Sequence, residues 1–255
     1  MSKTRVVVVG ASGRMGMTAT RTFFEDPNFE VVGLVDTVAQ EHSFADVPVE
    51  SDLVACLERT KPDVMLEFTT GRTAGKHALA AVKLGIATVV GATGTPTEEL
   101  DAIKAACGAT PCLIVPNFSI GAVLMMKFAS MAAEYLPDAE IIELHHEKKV
   151  DSPSGTAMRT AEMISEARQK PKTPLPEQLE KVPGARGAWV GEVPIHSIRL
   201  PGLLAHQEVH FGGTGELLTI RHDSMDRSSF ESGIKLCCGR VRELTGFNVG
   251  MENLL

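Results

Sequence analysis

The hydrophobic pattern of the first 115 residues alternates between two kinds of segment. Short apolar runs, such as residues 5–9, are typical of strands buried on both faces of a sheet. Stretches with helical spacing follow them. The predicted strands are residues 5–9, 30–35, 63–68, 87–90 and 112–115, and the predicted helices are residues 14–25, 74–84 and 98–106. This alternation predicts a doubly wound parallel sheet whose strands all end at one edge, where ligands bind in such folds.

The pattern changes after residue 117, where strands cluster without intervening helices. The predicted elements are a helix at 120–135, a strand at 140–145, a helix from about Ser154, a surface loop at 170–186, and strands at 194–200, 206–211 and 216–221. Such clustering favours a mixed, largely antiparallel sheet in a smaller α+β domain. A last helix, residues 227–244, has no strand nearby, so we expect it to pack against the first domain.

The composition argues against several classes of protein. A net charge of −7 disfavours a nucleic-acid partner, since phosphate binding requires a basic face. The apolar run at residues 6–9 is too short for a membrane span or a signal peptide, so no membrane association is expected. The five cysteines form no CxxC pair and no zinc-like spacing, which is typical of buried thiols in a reducing compartment. We therefore expect a soluble, cytoplasmic protein.

A glycine-rich turn joins the first strand to the first helix. The turn reads Gly10-Ala11-Ser12-Gly13-Arg14-Met15-Gly16. Glycines there let backbone N–H groups approach a pyrophosphate at a helix N-terminus, where the helix dipole favours an anion. The spacing is GxxGxxG rather than GxGxxG, and such turns also occur for packing reasons, so the turn needs supporting context to indicate a dinucleotide site.

Asp36 supplies that context, because it ends the second predicted strand about 20 residues after the glycines. An acid at this position accepts hydrogen bonds from the adenosine ribose of a dinucleotide. The alternative is that Asp36 merely ends a strand. Thr37 follows where an NADPH-specific protein would place a basic residue against the 2′-phosphate. We therefore expect NADH to be used at least as well as NADPH, although Arg14 could reach a phosphate from the loop.

Two further loops leave strands at the same predicted edge. Small residues in Gly91-Ala92-Thr93-Gly94 would let the backbone approach a flat ring. The second loop, Val115-Pro116-Asn117-Phe118, could position a nicotinamide. Ordinary turn chemistry is the simpler explanation of either segment taken alone.

Residues 143–157, which read ELHHEKKVDSPSGTA, form the segment richest in chemical groups. His145 and His146 precede Lys149, and a turn at Gly155 and Thr156 opens a helix. A helix N-terminus donates hydrogen bonds to a carboxylate, while Lys149 and His146 could hold charge elsewhere on a dianionic ligand. A histidine also transfers protons near neutral pH. The pattern therefore favours a site for a small dianionic substrate.

Simpler interpretations of this segment stay open. A histidine pair at a strand end and a lysine pair after it are also typical of a solvated surface. A metal site is not expected, because adjacent strand residues point to opposite faces and no third ligand lies at a useful spacing.

The same segment resembles the HHxxKxDxPSGTA signature of the 4-hydroxy-tetrahydrodipicolinate reductase family, also called dihydrodipicolinate reductases. The similarity extends over nearly the whole chain and includes the VVGASGRMG opening, the EFTT stretch at residues 67–70, the GATG loop and the PNFSIG segment. Two positions depart from the family pattern. Ser152 stands where alanine is common, and Thr37 stands where some members have a basic residue.

The resemblance implies a reaction of diaminopimelate and lysine biosynthesis. Hydride from NADH or NADPH reaches C4 of a cyclic substrate, water is lost and tetrahydrodipicolinate results. The resemblance implies that His145 donates or accepts a proton, that Lys149 is a second proton donor, and that the substrate contacts are His146, Gly155 and Thr156. The cofactor residues that it implies are Gly10, Ala11, Ser12, Gly13, Arg14, Met15, Asp36, Gly91, Ala92, Thr93, Val115, Pro116, Asn117 and Phe118.

These expectations assign a role to each predicted domain. Residues 1–117 and 227–255 form a Rossmann-like dinucleotide-binding domain, and residues 118–226 form a domain for substrate binding and oligomerisation. The resemblance implies a homotetramer assembled through the sheet of the second domain.

Two rival functions remain to be weighed. One is another nicotinamide dehydrogenase, acting on aspartate semialdehyde or homoserine. An acylating semialdehyde enzyme needs a nucleophilic cysteine, and no cysteine follows a strand beside the histidine motif. The other is a non-catalytic dinucleotide sensor, which has no use for His145, Lys149 and a carboxylate-binding helix start together.

Overall fold

The computed structural model describes residues 2–37, 46–174, 176–177 and 179–255. The chain divides into two compact units, one of Met1–Phe118 with Phe230–Leu255 and the other of Ser119–Ser229. The predicted domain boundaries, 117/118 and 226/227, lie beside these divisions. Within the described residues, no helix is both long and apolar enough to cross a lipid bilayer.

The elements follow one another in a regular order within each unit. The first unit contains β1 (Thr4–Val9), α1 (Arg14–Phe24), β2 (Phe29–Val35), β3 (Val49–Glu50), α2 (Leu53–Thr60), β4 (Val64–Glu67), α3 (Gly71–Lys83), β5 (Ala87–Val90), α4 (Thr97–Cys107) and β6 (Cys112–Ile114). The second unit contains α5 (Ile120–Ala133), β7 (Asp138–His145), α6 (Gly155–Ala167), β8 (Ala188–Val190), β9 (Val193–Arg199), β10 (Ala205–Gly213) and β11 (Glu216–Ser224). The chain then returns to the first unit with α7 (Glu231–Arg240) and β12 (Phe247–Val249).

Seven parallel strands form the sheet of the first unit, in the order β12-β6-β5-β4-β1-β2-β3. Residues Val6, Val7, Val8 and Val9 of the central strand β1 are at most 1% exposed, as a strand covered on both faces requires. The strand order reverses at β1, which pairs with β2 on one side and β4 on the other. The predicted doubly wound sheet is confirmed, and the loops after β1 and β4 flank the switch point where such sheets bind ligands.

Five strands form the sheet of the second unit, in the order β11-β10-β7-β9-β8. Only β7 and β9 run parallel to each other, so the predicted mixed, largely antiparallel sheet is confirmed. Residues Ala139, Ile141 and Glu143 of β7 are buried, whereas the alternating Glu140 and Ile142 are half-buried. Both α5 and α6 pack against this sheet, on the side of the buried residues.

The C-terminal part of the chain differs from the prediction. In place of one helix at residues 227–244, short 3₁₀ turns at Arg227–Phe230 and Val241–Glu243 flank α7. The expectation that no strand lies near this helix is wrong, because β12 follows it and pairs with β6. With three residues between glycines, β12 is too short to show a hydrophobic period.

The prediction also omits β3, α2 and β8, none longer than eight residues. The described residues of 170–186 contain neither helix nor strand, in agreement with the predicted loop.

Candidate active site

Loops of the first unit emerge side by side at one edge of its sheet. Four backbone N–H groups there donate to the last carbonyl of a neighbouring strand, at N···O distances of 2.8–2.9 Å; the donors are Gly10, Phe68, Gly91 and Val115. The strand order places the loops after β6, β5, β4 and β1 in a row, followed by Asp36 after β2. The cofactor segments suggested by the sequence therefore lie along one edge.

The glycine turn after β1 is tightly packed. Gly10 has φ +79°, and a Cβ there would lie 2.8 Å from the carbonyl of Phe68. A Cβ on Gly16 would overlap the carbonyl oxygen of Gly10, so the start of α1 lies directly against the end of β1. The N-cap residue of α1 is Gly13, and no side chain caps this helix. An uncapped helix N-terminus behind a glycine turn fits the pyrophosphate of a dinucleotide.

Asp36 is fastened to this turn. Its Oδ2 accepts the backbone N–H of Ser12 at 2.9 Å, and its Oδ1 accepts that of Thr37 at 2.7 Å. The carboxylate therefore helps to shape the turn and lies beside the glycines. Residues 38–45, which follow Thr37, lie outside the described residues.

Two aromatic rings pack against each other beside Gly91, one from the loop after β4 and one from the loop after β6. Phe68 and Phe118 meet edge to face with their ring centroids 5.3 Å apart, and a Cβ on Gly91 would overlap the Phe68 ring. Phe118 is only 4% exposed, so its side chain serves mainly to pack this edge. Among the other residues of the loops after β5 and β6, Val115 is buried at 1% exposed, and the rest are half-buried or exposed; they are Ala92, Thr93, Gly94, Pro116 and Asn117.

A buried acid behind the loop after β4 has no counterpart among the sequence predictions. Glu67 is wholly buried, and it accepts the backbone N–H of Thr69 at 2.5 Å. Its other oxygen lies 2.7 Å from Nδ1 of His77. Glu67 therefore fixes the loop backbone, and only its place at a strand end signals this in the sequence.

In the second unit, the histidine–lysine segment begins where β7 ends. His145 is the last residue of β7, and its Nδ1 lies 2.5 Å from a carboxylate oxygen of Glu143. The two side chains share a face because they are two positions apart in a strand. The side chain of Glu143 is wholly buried, and that of His145 is 16% exposed.

Glu143 is surrounded by donors. Two N–H groups of Arg199 donate to its two oxygens at 2.8 Å each, and the backbone N–H of Ser154 lies 3.3 Å from one of them. Burial alone would raise the pKa of Glu143, but hydrogen bonds from His145, Arg199 and Ser197 outweigh burial and lower this pKa to about 2. Glu143 is therefore a buried carboxylate ion at neutral pH.

Lys149 lies in the loop that connects β7 to α6. Its Nζ donates to both carboxylate oxygens of Asp151 at 2.8 Å, and this bond holds the pKa of Asp151 below its ordinary value. The side chain of Lys149 is 20% exposed, against 61% for Asp151. The ammonium group is thus directed by a surface carboxylate that a ligand could displace.

Helix α6 begins at the predicted turn. Its N-cap is Ser154, whose Oγ accepts the N–H of Ala157 at 3.2 Å. Gly155 is exposed, and Thr156 and His146 are half-buried. Since Ser154 also bonds to Glu143, the helix start is tied to the strand that carries His145. The structure therefore brings the predicted histidines, lysine and helix start together within the second unit.

Sequence reasoning missed Glu143 and Arg199. The alternation of side chains along β7 could have placed Glu143 beside His145, but no pattern points to Arg199, which is 56 residues beyond Glu143 in the chain. Only the parallel pairing of β7 with β9, which sets Arg199 opposite His145, brings it there.

All five cysteines are buried free thiols, and burial raises the pKa of each. That of Cys237 rises to about 12. Buried thiols with raised pKa values are poor nucleophiles. Among the described residues, no group of three or more His, Cys, Asp and Glu side chains is arranged to hold a metal ion.

Comparison with known proteins gives consistent matches over the whole chain. A family model for the N-terminus of dihydrodipicolinate reductase matches residues 4–118, and one for the C-terminus matches residues 121–255. The chain is 49% identical over 262 residues to 4-hydroxy-tetrahydrodipicolinate reductase of Enterococcus faecalis, covering 98% of this chain and 99% of that protein. It is 45% identical over 261 residues to the protein of that name from Bacillus velezensis, covering 98% and 97%.

A solved structure extends the likeness to the fold. It is described as dipicolinate-bound dihydrodipicolinate reductase from Paenisporosarcina sp. TG-14, and it matches with a TM-score of 0.89 and 41% identity over 99% of this chain and 100% of that chain. Two family models, full-length relatives and a matching fold thus agree, and the chain belongs to the dihydrodipicolinate reductase family of oxidoreductases.

Proposed function

We propose that this chain reduces 4-hydroxy-tetrahydrodipicolinate to tetrahydrodipicolinate with a nicotinamide cofactor, in diaminopimelate and lysine biosynthesis. The observation that carries the proposal is that His145 and the start of α6 both bond to the buried Glu143, and that Arg199 joins Glu143 to the loop that carries Lys149. The names of the relatives support the same substrate, and the dipicolinate bound in the related structure supports a dicarboxylate heterocycle.

The substrate would be held by its two carboxylates. The first turn of α6 offers backbone N–H groups of Gly155 and Thr156, and the Thr156 hydroxyl, to one carboxylate. Lys149 and His146 bring positive charge and a further hydrogen bond to the remainder of the ligand. A ligand carboxylate would replace Asp151 as the partner of Lys149.

The residues proposed to hold the cofactor line the edge of the first sheet. The uncapped N-terminus of α1 and its glycine turn receive the pyrophosphate, and Asp36 receives the ribose. The remaining contacts are assigned to the loops at Gly91 to Thr93 and Val115 to Phe118. When bound, the reduced nicotinamide supplies a hydride to C4 of the substrate. Because Thr37 is uncharged, we propose that NADH serves at least as well as NADPH.

Proton transfer is assigned to the second unit. His145 donates or accepts a proton near neutral pH, and Lys149 is a second donor as the hydroxyl group of the substrate leaves as water. The partial exposure of both side chains, 16% and 20%, leaves them accessible to a bound molecule.

We further propose that the chain forms a homotetramer through the sheet of the second unit. The face of this sheet away from the buried residues bears a concavity of about 690 Å³, lined by residues that include Glu140, Ile142, His196, His210 and Leu217. A large, partly apolar sheet face is a suitable surface for another copy of the same sheet. Light scattering after size-exclusion chromatography tests the tetramer, and a monomeric mass at micromolar concentration would contradict it.

A coupled assay tests the reaction. Substrate is made in situ from pyruvate and aspartate semialdehyde by the preceding synthase, and loss of NADH or NADPH is followed by absorbance. Oxidation that depends on the synthase supports the proposed reductase. Binding of NADH without oxidation would favour a dinucleotide sensor, and oxidation of NADH with aspartate semialdehyde alone would favour the rival dehydrogenase.

A further inference from the structure

Two charged residues, Glu143 and Arg199, lie directly behind His145. The wholly buried Glu143 shares a hydrogen bond of 2.5 Å with Nδ1 of His145 and accepts two N–H groups of Arg199. Arg199 also donates to the backbone carbonyl of Asp151 at 2.8 Å. One guanidinium group therefore holds both the acid behind His145 and the loop that carries Lys149.

The chemistry of this group fixes where its protons are. Glu143 is surrounded by donors and is ionised, so its carboxylate can only accept hydrogen bonds. The bond to His145 then requires a proton on Nδ1, whether the imidazole is neutral or charged. Exchange of a proton with a bound molecule is left to Nε2.

The same strand carries a second group of identical composition, which allows a comparison. On the other face of β7, Glu140 binds Arg186 and, at 2.9 Å, His196. The side chains of this group are 28–37% exposed, against 0–19% for Glu143, Arg199 and His145. Burying such charges removes them from water at a cost that their attraction often fails to offset, so the burial of this group is weak evidence for a purely stabilising role.

We propose that Glu143 and Arg199 are positioning residues of the reductase site, which hold His145 with its proton on Nδ1 and keep the Lys149 loop in place. This inference rests on the proposed function, because it gives His145 and Lys149 a substrate to act on. Neither positioning residue needs to touch the substrate.

Kinetics of two variants of the full chain test the proposal. In Glu143→Gln an NH₂ group replaces one carboxylate oxygen, so it faces the N–H donors of His145 or Arg199 and cannot accept from them. Arg199→Lys keeps the positive charge but cannot bond to Glu143 and Asp151 together. We expect kcat to fall at least about tenfold in each, as when a residue that orients a functional histidine is changed. The Kd for NADH should stay within about twofold. Glu192→Gln, which removes the carboxylate partner of Arg168 in the same unit, is the control and should keep the wild-type kcat within about twofold.

Neutron diffraction provides a readout that does not need turnover. A deuteron on Nδ1 of His145 and none on Glu143 supports the proposal, whereas a deuteron on Glu143 overturns it. If the deuteron lies on Nδ1 of His145 but the protein shows no reductase activity, the proposed function is contradicted and the positioning of His145 by Glu143 is not. Reductase activity that Glu143→Gln leaves at the wild-type kcat contradicts the positioning role and not the proposed function.

Glu143→Gln leaves the positive charge of Arg199 without its negative partner, and this can prevent folding. The double variant Glu143→Gln/Arg199→Met removes both charges and is measured in that case. The same loss of kcat is expected, and a folded double variant with the wild-type kcat would overturn the proposal.

Discussion

The two units hold their functional groups by different means. In the first, backbone N–H groups of Gly10, Gly91 and Val115 continue the bonding of the strands, and the carboxylates of Asp36 and Glu67 accept backbone N–H groups of the loops. Gly10 and Gly91 leave no room for a Cβ. In the second, side chains hold side chains, as Glu143 holds His145 and Asp151 holds Lys149. The first site should therefore be sensitive to added atoms, and the second to lost charges and protons.

This difference explains why the sequence of one site indicates its function more specifically than the sequence of the other. Every residue except proline carries a backbone N–H, so many sequences can build a dinucleotide loop, and a glycine turn alone identifies little. Proton transfer and carboxylate binding need particular side chains at particular places. The segment at residues 143–157 is therefore far more specific than the turn at residues 10–16.

The largest effect is expected from removal of the His145 side chain. His145→Ala should lower kcat by about 10²–10⁴-fold, or roughly 3–5 kcal/mol, since a methyl group cannot transfer a proton. The Kd for NADH should change little, because the proposed cofactor loops belong to the first unit. Steady-state kinetics and a fluorescence titration measure the two quantities. Near-normal turnover in His145→Ala would refute its assigned role.

The next largest effect concerns acid stability. The pKa of Glu143 is lowered from its ordinary 4.5 to about 2 in the folded protein, so its contribution is present above about pH 4.5 and is lost as the pH falls toward 2. The loss amounts to about 3 kcal/mol in the free energy of unfolding. Urea unfolding followed by fluorescence of Trp189, the only tryptophan, reports on the second unit.

Glu143→Gln provides the control for this acid titration. An amide does not ionise, so the variant should lose less stability between pH 4.5 and 2 than the wild type does. Equal losses in the two proteins would show that other carboxylates govern the acid unfolding.

The sequence predicted most of the fold because its strands and helices are long enough to show their periods. It failed at β12, where three residues carry no period, and at Arg199, whose role depends on the pairing of β7 with β9. Segment patterns describe neighbours along the chain. A contact between residues 56 positions apart follows only from the register of strands, which no local pattern contains.

A smaller effect is expected from a methyl group added to the first unit. In Gly16→Ala the new Cβ would overlap the carbonyl oxygen of Gly10, so the turn must shift, at a cost of about 1–3 kcal/mol. Thermal unfolding by circular dichroism measures the cost, and weaker NADH binding should accompany it. Gly239→Ala in α7 is the matched control, since its Cβ would lie 3.7 Å from Phe29, an ordinary contact. A Gly16→Ala protein as stable as the control would contradict the close packing.

The smallest effect sharpens the cofactor assignment. Asp36→Asn keeps an oxygen to accept the N–H of Ser12 but removes the negative charge that would repel a 2′-phosphate. The ratio of kcat/KM for NADPH to that for NADH should rise about tenfold, equivalent to about 1.4 kcal/mol. Asp63→Asn is the control, because Asp63 accepts the N–H of Arg5 at the other end of the strands. An unchanged ratio in Asp36→Asn would place the ribose away from Asp36 and leave that acid only its bond to the glycine turn. A wild-type protein that strongly prefers NADPH would instead refute the argument from Thr37.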